Sequence, residues 1–164
     1  HIGRGVARRL AGFDPEVLVF DPFVNDEDIR EVGPKPTDLD TLLAASDAVT
    51  LHVRLSEDTK GMISDNEFKQ MNDDGYLVNT ARGGLVDTDA LVDAVSNGSI
   101  AGAALDVFEK EPIPEGHPLF DLDEVVLSPH VAGSTYDAVL GGPRIIASQL
   151  KAYLDGDVPD NIVN

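Results

Sequence analysis

Cysteine and tryptophan are absent from this sequence of 164 residues. The lack of cysteine excludes disulfide bonds, cysteine-based metal sites and thiol catalysis, although it does not fix the compartment. No His-x-x-x-His or Glu-x-x-His pair occurs, so we predict no metal site. There is no run of about 18 apolar residues, so no transmembrane helix is expected. The opening residues also lack the basic and apolar regions of a signal peptide.

Basic residues are few, since 12 lysines and arginines stand against 30 aspartates and glutamates, for a net charge of -18. The acidic residues are scattered rather than gathered in one tail. Such a surface repels nucleic acid and anionic membranes, so neither is a predicted partner. Because this self-repulsion destabilises a compact state unless salt screens it, we interpret the surface as salt-adapted and the protein as cytoplasmic. An ordinary acidic protein is the alternative.

Short apolar runs alternate with helical patterns along the chain. The patterns predict strands at 17–20, 48–53, 76–78, 100–105 and 125–127, and helices at 2–10, 38–45, 64–71, 88–95 and 138–154. This alternation predicts an α/β fold with a doubly wound parallel sheet and right-handed crossovers. Because the first helix has no strand before it, we expect the sheet to lack its first strand.

Three predicted strands are followed by side chains that can carry chemistry. Arg82 follows the strand at 76–78, Glu111 the strand at 100–105, and His130 the strand at 125–127. Ligands bind outside the carboxyl ends of strands in open parallel sheets, so we expect these groups to converge. An arginine can bind a carboxylate, a histidine can move a proton, and a glutamate can hold that histidine. This combination is typical of a dehydrogenase.

Each of these residues also has a purely structural interpretation. His130 could be an ordinary loop histidine after Pro129, and Glu111 could belong to a solvated charged run. Arg82 could simply pair with Asp87, and a strand-end aspartate such as Asp106 could be a cap. Their joint occurrence after successive strands favours the functional interpretation.

The first residues indicate a dinucleotide site. His1-Ile2-Gly3 matches the end of a G-x-G-x-x-G fingerprint, in which the third glycine lets a helix pack closely on a strand. Asp21 lies 18 positions after Gly3, at the end of the next predicted strand, where an acidic residue binds ribose hydroxyls. A carboxylate there repels a ribose phosphate, which favours NAD over NADP. Alternatively, Asp21 only forms a turn before Pro22.

Three longer segments resemble the D-isomer-specific 2-hydroxyacid dehydrogenases. They are residues 77–87 (LVNTARGGLVD), 102–112 (GAALDVFEKEP) and 127–130 (LSPH). The segments are most similar to D-3-phosphoglycerate dehydrogenase-like members, and the resemblance extends over essentially the whole chain. It implies a Rossmann-type NAD-binding domain, NAD as cofactor, and hydride transfer between NAD and a D-2-hydroxy acid, with 3-phosphoglycerate as one candidate.

The resemblance implies roles for individual residues. Arg82 would bind the substrate carboxylate or carbonyl, Glu111 would pair with His130, and His130 would donate or accept the proton. Arg82 and His130 are also counted among the cofactor contacts. The other implied contacts follow the cofactor from one end to the other. At the nicotinamide, Asp106 would contact the carboxamide, and Thr80, Ala81 and Gly133 would surround the ring and its ribose. His1, Ile2, Gly3 and Asp21 would contact the pyrophosphate and the adenosine ribose, and Val53 would contact the adenine.

The resemblance also bears on domains and partners. It implies that residues 1–164 form an NAD-binding domain with a closing carboxyl-terminal helix, and that an N-terminal substrate domain is absent from this chain. A small 2-hydroxy or 2-oxo acid is the expected substrate, and a homodimer is expected. Arg54 departs from the family, which usually has proline there. Two alternatives stay open: a non-enzymatic NAD-sensing corepressor that binds partner proteins, and an isolated cofactor domain that cannot turn over.

Overall fold

The computed structural model describes residues 1–159, which divide into two compact units, with Pro129 the last residue of the first unit and His130 the first of the second. The first unit alternates strands and helices, and three short 3-10 helices lie at Ala11–Phe13, Gly83–Leu85 and Pro118–Asp121. Its α-helices are α1 (Ile2–Leu10), α2 (Asp26–Arg30), α3 (Leu39–Ala45), α4 (Asp65–Phe68) and α5 (Thr88–Ser96). Its strands are β1 (Leu18–Val19), β2 (Lys35–Pro36), β3 (Ala48–Leu51), β4 (Tyr76–Asn79), β5 (Gly102–Leu105) and β6 (Val125–Leu127).

Strands β3 to β6 form one parallel sheet in the order β3-β4-β5-β6. Val49 pairs with Leu77, Leu77 with Ala103, and Ala103 with Val125, so one row of side chains crosses all four strands. The first three of these residues are buried. Parallel neighbours joined by helical crossovers confirm the predicted α/β class, in which the carboxyl ends of all strands lie at one edge.

Strands β1 and β2 form a separate parallel pair, in which Leu18 aligns with Lys35. In the doubly wound order, the first strand lies between the second and the fourth. In this order, β1 and β3 take the two positions on either side of the first strand. Within residues 1–159, β1 pairs with β2 and β3 pairs with β4, so β1 and β3 belong to separate sheets.

The core of the first unit is apolar and surrounds the four-stranded sheet. Leu77 of β4 is fully buried, and α4 contacts α5 beside it. Aromatic residues are few, so aliphatic side chains supply most of the packing. Burial of this apolar area is the main force that holds the helices on the sheet. The largest fully buried apolar side chains are Phe68, Leu43, Ile63, Leu77, Leu85, Leu91, Ile100 and Leu119.

Acidic side chains cap several helices. The Asp38 carboxylate accepts a hydrogen bond from the Thr41 amide at 2.8 Å, and this bond and one from the Thr41 hydroxyl lower the pKa of Asp38. Asp87 accepts from the amides of Asp89 and Ala90 at the start of α5. These contacts satisfy amides that have no partner inside the helix, which is why α3 and α5 begin where they do.

The predicted elements agree with the structure to within a few residues, but α2 and β2 were not predicted. Helix α2 buries only Ile29, so it has no apolar periodicity to detect. Strand β2 is Lys35-Pro36, and proline is tolerated in a strand chiefly at an edge. Among the described residues, β2 pairs with β1 alone, and this edge position explains how Lys35-Pro36 can be a strand.

The second unit is dominated by helix α6 (Tyr136–Leu154), which begins two residues before the predicted start. The Thr135 hydroxyl accepts from the Ala138 amide at 3.1 Å and caps it. Within the part of the chain that the structure describes, no helix is both long and apolar enough to cross a membrane. The last five residues of the predicted 1–164 domain lie outside the described residues.

Candidate active site

The loop after β4 is held by Asn79, a residue to which the sequence analysis assigned no role. Its side chain is buried, with 1% of the residue exposed. Its Oδ1 accepts from the Ala81 amide at 3.0 Å, and its Nδ2 donates to the Arg82 carbonyl at 2.9 Å. The signal for this was an asparagine at a strand end, where such side chains commonly hydrogen-bond the backbone that follows.

Arg82 therefore lies in a loop whose backbone is fixed by hydrogen bonds to the Asn79 side chain. Its own backbone is extended, with φ -149° and ψ 141°, and it immediately precedes the short 3-10 helix Gly83–Leu85. The side chain is exposed, and its Nη1 donates to the Ala81 carbonyl at 2.6 Å. Thr80 is exposed and Ala81 is half-buried. An exposed guanidinium on a fixed loop is suited to binding an anion from solution.

Gly83 brings this loop against the loop after β5. A Cβ placed on Gly83 would lie 2.0 Å from the carbonyl carbon of Phe108 and 2.3 Å from the nitrogen of Glu109. The Phe108 amide in turn donates to Oε1 of Glu111 at 3.0 Å. The segments that carry Arg82 and Glu111, two of the three predicted catalytic residues, are thus in direct backbone contact.

Asp106 lies at the carboxyl end of β5 and is buried, with 3% of the residue exposed. Its amide donates to the Asn79 carbonyl at 3.0 Å, and its Oδ1 accepts from the Ser128 hydroxyl at 2.5 Å. The Ser128 amide donates to the Leu105 carbonyl at 2.9 Å. A chain of hydrogen bonds therefore joins the carboxyl ends of β4, β5 and β6.

His130 and Gly133 belong to the second unit, so they are described separately from Arg82 and Glu111. His130 is exposed and has φ 53°, in the left-handed region. A residue with a Cβ is disfavoured there by about 1–2 kcal/mol, and such outliers cluster at functional sites. Gly133 is exposed, within a turn closed by a bond from the Ser134 amide to the Val131 carbonyl. The backbone of His130 is consistent with its predicted catalytic role.

The amino-terminal end of α1 fits an anionic ligand. Among the helices of seven or more residues in the described chain, α1 has neither a capping side chain nor an acidic residue in its first turn, whereas α3, α5 and α6 have both. The carbonyl of His1 accepts from the Gly5 amide at 3.1 Å, and Ile2 is exposed. Unsatisfied amides and the positive end of the helix dipole favour a phosphate, as the predicted pyrophosphate contact requires.

Gly3 behaves as a packing glycine. A Cβ at this position would lie 3.2 Å from Cβ of His52, the residue that follows β3. This close approach of helix to strand end is the property expected of the third glycine of the fingerprint. Burial lowers the pKa of His52, whose Nε2 lies 3.2 Å from the Thr50 hydroxyl.

Asp21 and Val53 complete the predicted cofactor set. The Oδ1 of Asp21 accepts from the Phe23 amide at 3.0 Å, so the aspartate does form a turn. This bond uses one carboxylate oxygen, so the turn and the predicted ribose contact are compatible. Val53 is half-buried and packs against the core. Its predicted contact with adenine is therefore restricted to the exposed part of the side chain.

A cavity of about 530 Å³ adjoins the Glu111 loop. Phe108 and Glu109 form part of its wall, together with Lys60 and the first residues of α5. None of the predicted site residues in the first unit lines it, so it is separate from the strand-end cluster.

These features define a nucleotide-binding α/β protein, with an uncapped helix for phosphate and polar loops at the carboxyl edge of the sheet. Residues 1–132 match the model of the family described as D-isomer specific 2-hydroxyacid dehydrogenase, NAD binding domain. The chain therefore belongs to this family, as its three motifs predicted, and NAD is the cofactor of such domains.

Individual relatives agree with this assignment. A glyoxylate reductase of Thermofilum pendens is 46% identical over 99% of this chain and 48% of that protein. A D-3-phosphoglycerate dehydrogenase of Archaeoglobus fulgidus is 44% identical over 99% of this chain and 31% of that protein. The crystal structure of D-lactate dehydrogenase with NAD+ from Lactobacillus jensenii matches with a TM-score of 0.93 and 31% identity, over 100% of this chain and 53% of that one.

The chain thus spans about half the length of these relatives, or less. Their names describe dehydrogenases and a reductase, so the alternative of a non-enzymatic corepressor is not favoured.

Proposed function

We propose that the full-length protein is an NAD-dependent oxidoreductase that interconverts a D-2-hydroxy acid and the corresponding 2-oxo acid. The observation that carries the proposal is the backbone contact at Gly83, which places the loops of Arg82 and Glu111 together at the carboxyl edge of the sheet. The relatives act, by their names, on small acids of this kind, among them glyoxylate and 3-phosphoglycerate. Those two acids and lactate are candidate substrates in either direction.

Each residue of the chain has a role in this proposal. The Arg82 guanidinium binds the substrate carboxylate through paired N–H donors. His130 removes the hydroxyl proton during oxidation and returns it during reduction, since an imidazole can act as a general base and as a general acid. Asp106 holds the nicotinamide carboxamide, and the pairing of Glu111 with His130 stays a prediction. Bound NAD would supply the acceptor for the hydride that leaves C2 of the hydroxy acid during oxidation.

Asp21 supports NAD rather than NADP. The residue follows β1 and is half-buried, and its carboxylate is fixed by the bond from the Phe23 amide. A fixed negative charge there binds ribose hydroxyls and repels a ribose phosphate. The other predicted contacts at this end of the cofactor are His1, Ile2, Gly3 and Val53.

We further propose that residues 1–164 supply the NAD-binding half of a longer protein, because the relatives are about twice as long. The substrate-binding residues outside this chain would come from an N-terminal domain. A homodimer and a salt-adapted, cytoplasmic protein remain proposals that rest on the family resemblance and on the net charge of -18.

The test is an NADH oxidation assay on the full-length protein in molar KCl, with glyoxylate, pyruvate and 3-phosphohydroxypyruvate as substrates. We expect turnover with at least one acid, and a loss of about 100-fold or more in His130→Ala, because general acid–base catalysis contributes about 10²–10⁴-fold. The NADH dissociation constant should stay within about threefold of wild type in this variant, since removal of a proton-transfer group spares most cofactor contacts.

The matched control is His117→Asn. His117 accepts from the Leu119 amide through Nδ1, and asparagine can retain an acceptor there. Wild-type turnover in this variant is expected. Unchanged turnover in His130→Ala, or silence of the wild-type protein with every acid, would contradict the proposal.

A further inference from the structure

We propose that Asn79 is a positioning residue that holds Arg82 in the conformation needed to bind the substrate carboxylate. This inference rests on the proposed function of Arg82. The Asn79 side chain makes two hydrogen bonds, both to the loop that carries Arg82: it accepts from the Ala81 amide at 3.0 Å and donates to the Arg82 carbonyl at 2.9 Å.

Burial makes these two bonds consequential. Only 1% of Asn79 is exposed, so water has little access to the side-chain amide. A buried donor or acceptor that loses its partner is destabilised by its full desolvation cost, whereas an exposed one is rehydrated. The loop therefore has one favourable arrangement, in which the Arg82 carbonyl points back to the Asn79 amide. The direction of the Arg82 side chain is set by that arrangement.

The main chain of Asn79 performs a different task. Its carbonyl accepts from the Asp106 amide at 3.0 Å, as part of the pairing between β4 and β5. A substitution at position 79 leaves this bond in place because it uses backbone atoms. Side-chain variants of Asn79 should therefore disturb Arg82 and spare Asp106, the predicted nicotinamide contact. Thr80 and Ala81, two other predicted cofactor contacts, lie in the same loop, so NADH binding is expected to weaken slightly. Substrate binding is expected to weaken much more, because it depends directly on Arg82.

The conservative change Asn79→Asp isolates the donor. Aspartate keeps an oxygen for the Ala81 amide but presents a second oxygen to the Arg82 carbonyl, where the present distance is 2.9 Å. Two acceptors at that distance repel each other, so the loop must turn. Asn79→Ala removes both side-chain bonds without adding charge, and it serves as the second variant if the aspartate does not fold.

Asn72→Asp is the matched control. Asn72 also donates from Nδ2 to a backbone carbonyl, that of Ser46, at 3.2 Å. It is exposed and belongs to the loop before β4, at the opposite end of that strand from Arg82. The same chemical change there should leave kcat/KM within about twofold of wild type, because exposed substitutions rarely exceed a few tenths of a kcal/mol.

The experiment is a double-mutant cycle on the full-length protein with Asn79→Asp, Arg82→Gln and the combination, using the most active 2-oxo acid. We expect Asn79→Asp to lower kcat/KM by about 10- to 100-fold, since a shift of about 1 Å at a binding group has that order of effect. Its NADH dissociation constant should stay within about threefold of wild type, and the double variant should match Arg82→Gln alone within about threefold.

Two results would overturn the inference. Independent losses that multiply in the double variant would show that Asn79 does not act through Arg82. An NADH affinity that falls in parallel with kcat/KM would show a general structural role. A wild-type protein that is silent with every acid would contradict the proposed function, and the inference with it. An active wild type with multiplying losses would contradict the inference alone.

Discussion

Gly83 is the position where a single methyl group should separate the two loops of the candidate site. A Cβ added there would lie 2.0 Å from the Phe108 carbonyl carbon and 2.3 Å from the Glu109 nitrogen. Ordinary contact begins at 3.4 Å, so Gly83→Ala requires the two backbones to move apart by about 1.4 Å. Neither partner is the end of a flexible side chain that could rotate away.

The magnitude follows from that displacement. Inserting a methyl group into closely packed structure costs about 1–3 kcal/mol of stability. A misplacement of about 1 Å at reacting groups costs about 100-fold in rate. We therefore expect Gly83→Ala to lower kcat/KM for the 2-oxo acid by about 100-fold and to lower the melting temperature.

The neighbouring Gly84→Ala is the control for this prediction. A Cβ at Gly84 would lie 3.1 Å from Cδ2 of Leu55, the mobile end of a side chain. This variant should keep kcat/KM within about threefold of wild type. Steady-state NADH oxidation and thermal unfolding of the full-length protein measure both effects. A Gly83→Ala protein with wild-type kinetics and melting temperature would refute the argument that this backbone contact positions the site.

Three other variants test the packing, the cofactor site and the pH response. Phe68 is fully buried, so Phe68→Ala should lower the free energy of unfolding by about 3–5 kcal/mol. Phe23 is 93% exposed, so Phe23→Ala should change the free energy of unfolding by less than about 0.5 kcal/mol. Equal effects of the two variants in urea unfolding would contradict this expectation. Ser128→Ala removes the hydroxyl that donates to Asp106, and we expect the NADH dissociation constant to rise about 10-fold in a fluorescence titration; an unchanged constant would contradict the argument that this bond positions Asp106 for the cofactor. Burial is the main reason why the pKa of His52 is lowered in the folded state. The contribution of His52 to the free energy of unfolding is therefore complete above the unfolded-state pKa of about 6.5. This contribution is lost as the pH falls from there through the folded-state pKa. His52→Gln should therefore flatten the fall in melting temperature between about pH 7 and pH 5, and an unaltered slope would contradict the assignment.

The order of strands and helices could be predicted because apolar runs and caps coincide in this chain. Thr88 directly follows the capping Asp87, so the start of α5 was predicted correctly. Helix α2 and strand β2 could not be predicted, since a polar helix that buries one isoleucine and a Lys-Pro strand have no periodic signal. The position of β2 depends on its pairing with β1, and α2 contacts β2, so both depend on contacts between elements.

The candidate site was predictable as a set of residue types but not as a set of contacts. Arg82, Glu111 and His130 are chemically conspicuous, and each follows an apolar run. An asparagine at a strand end signals bonds to the backbone that follows, but the sequence does not show which backbone Asn79 and Gly83 approach. Their importance depends on which backbone they approach, and that is set by the packing of two loops from different strands.

The most direct test of the central claim is NADH oxidation by the full-length wild-type protein with each 2-oxo acid in molar KCl, followed by determination of the configuration of the product. We predict turnover with at least one acid. Where the product is chiral, as lactate and 3-phosphoglycerate are and glycolate is not, we predict the D configuration. The absence of NADH oxidation with every acid, or a product of the L configuration, would contradict the account.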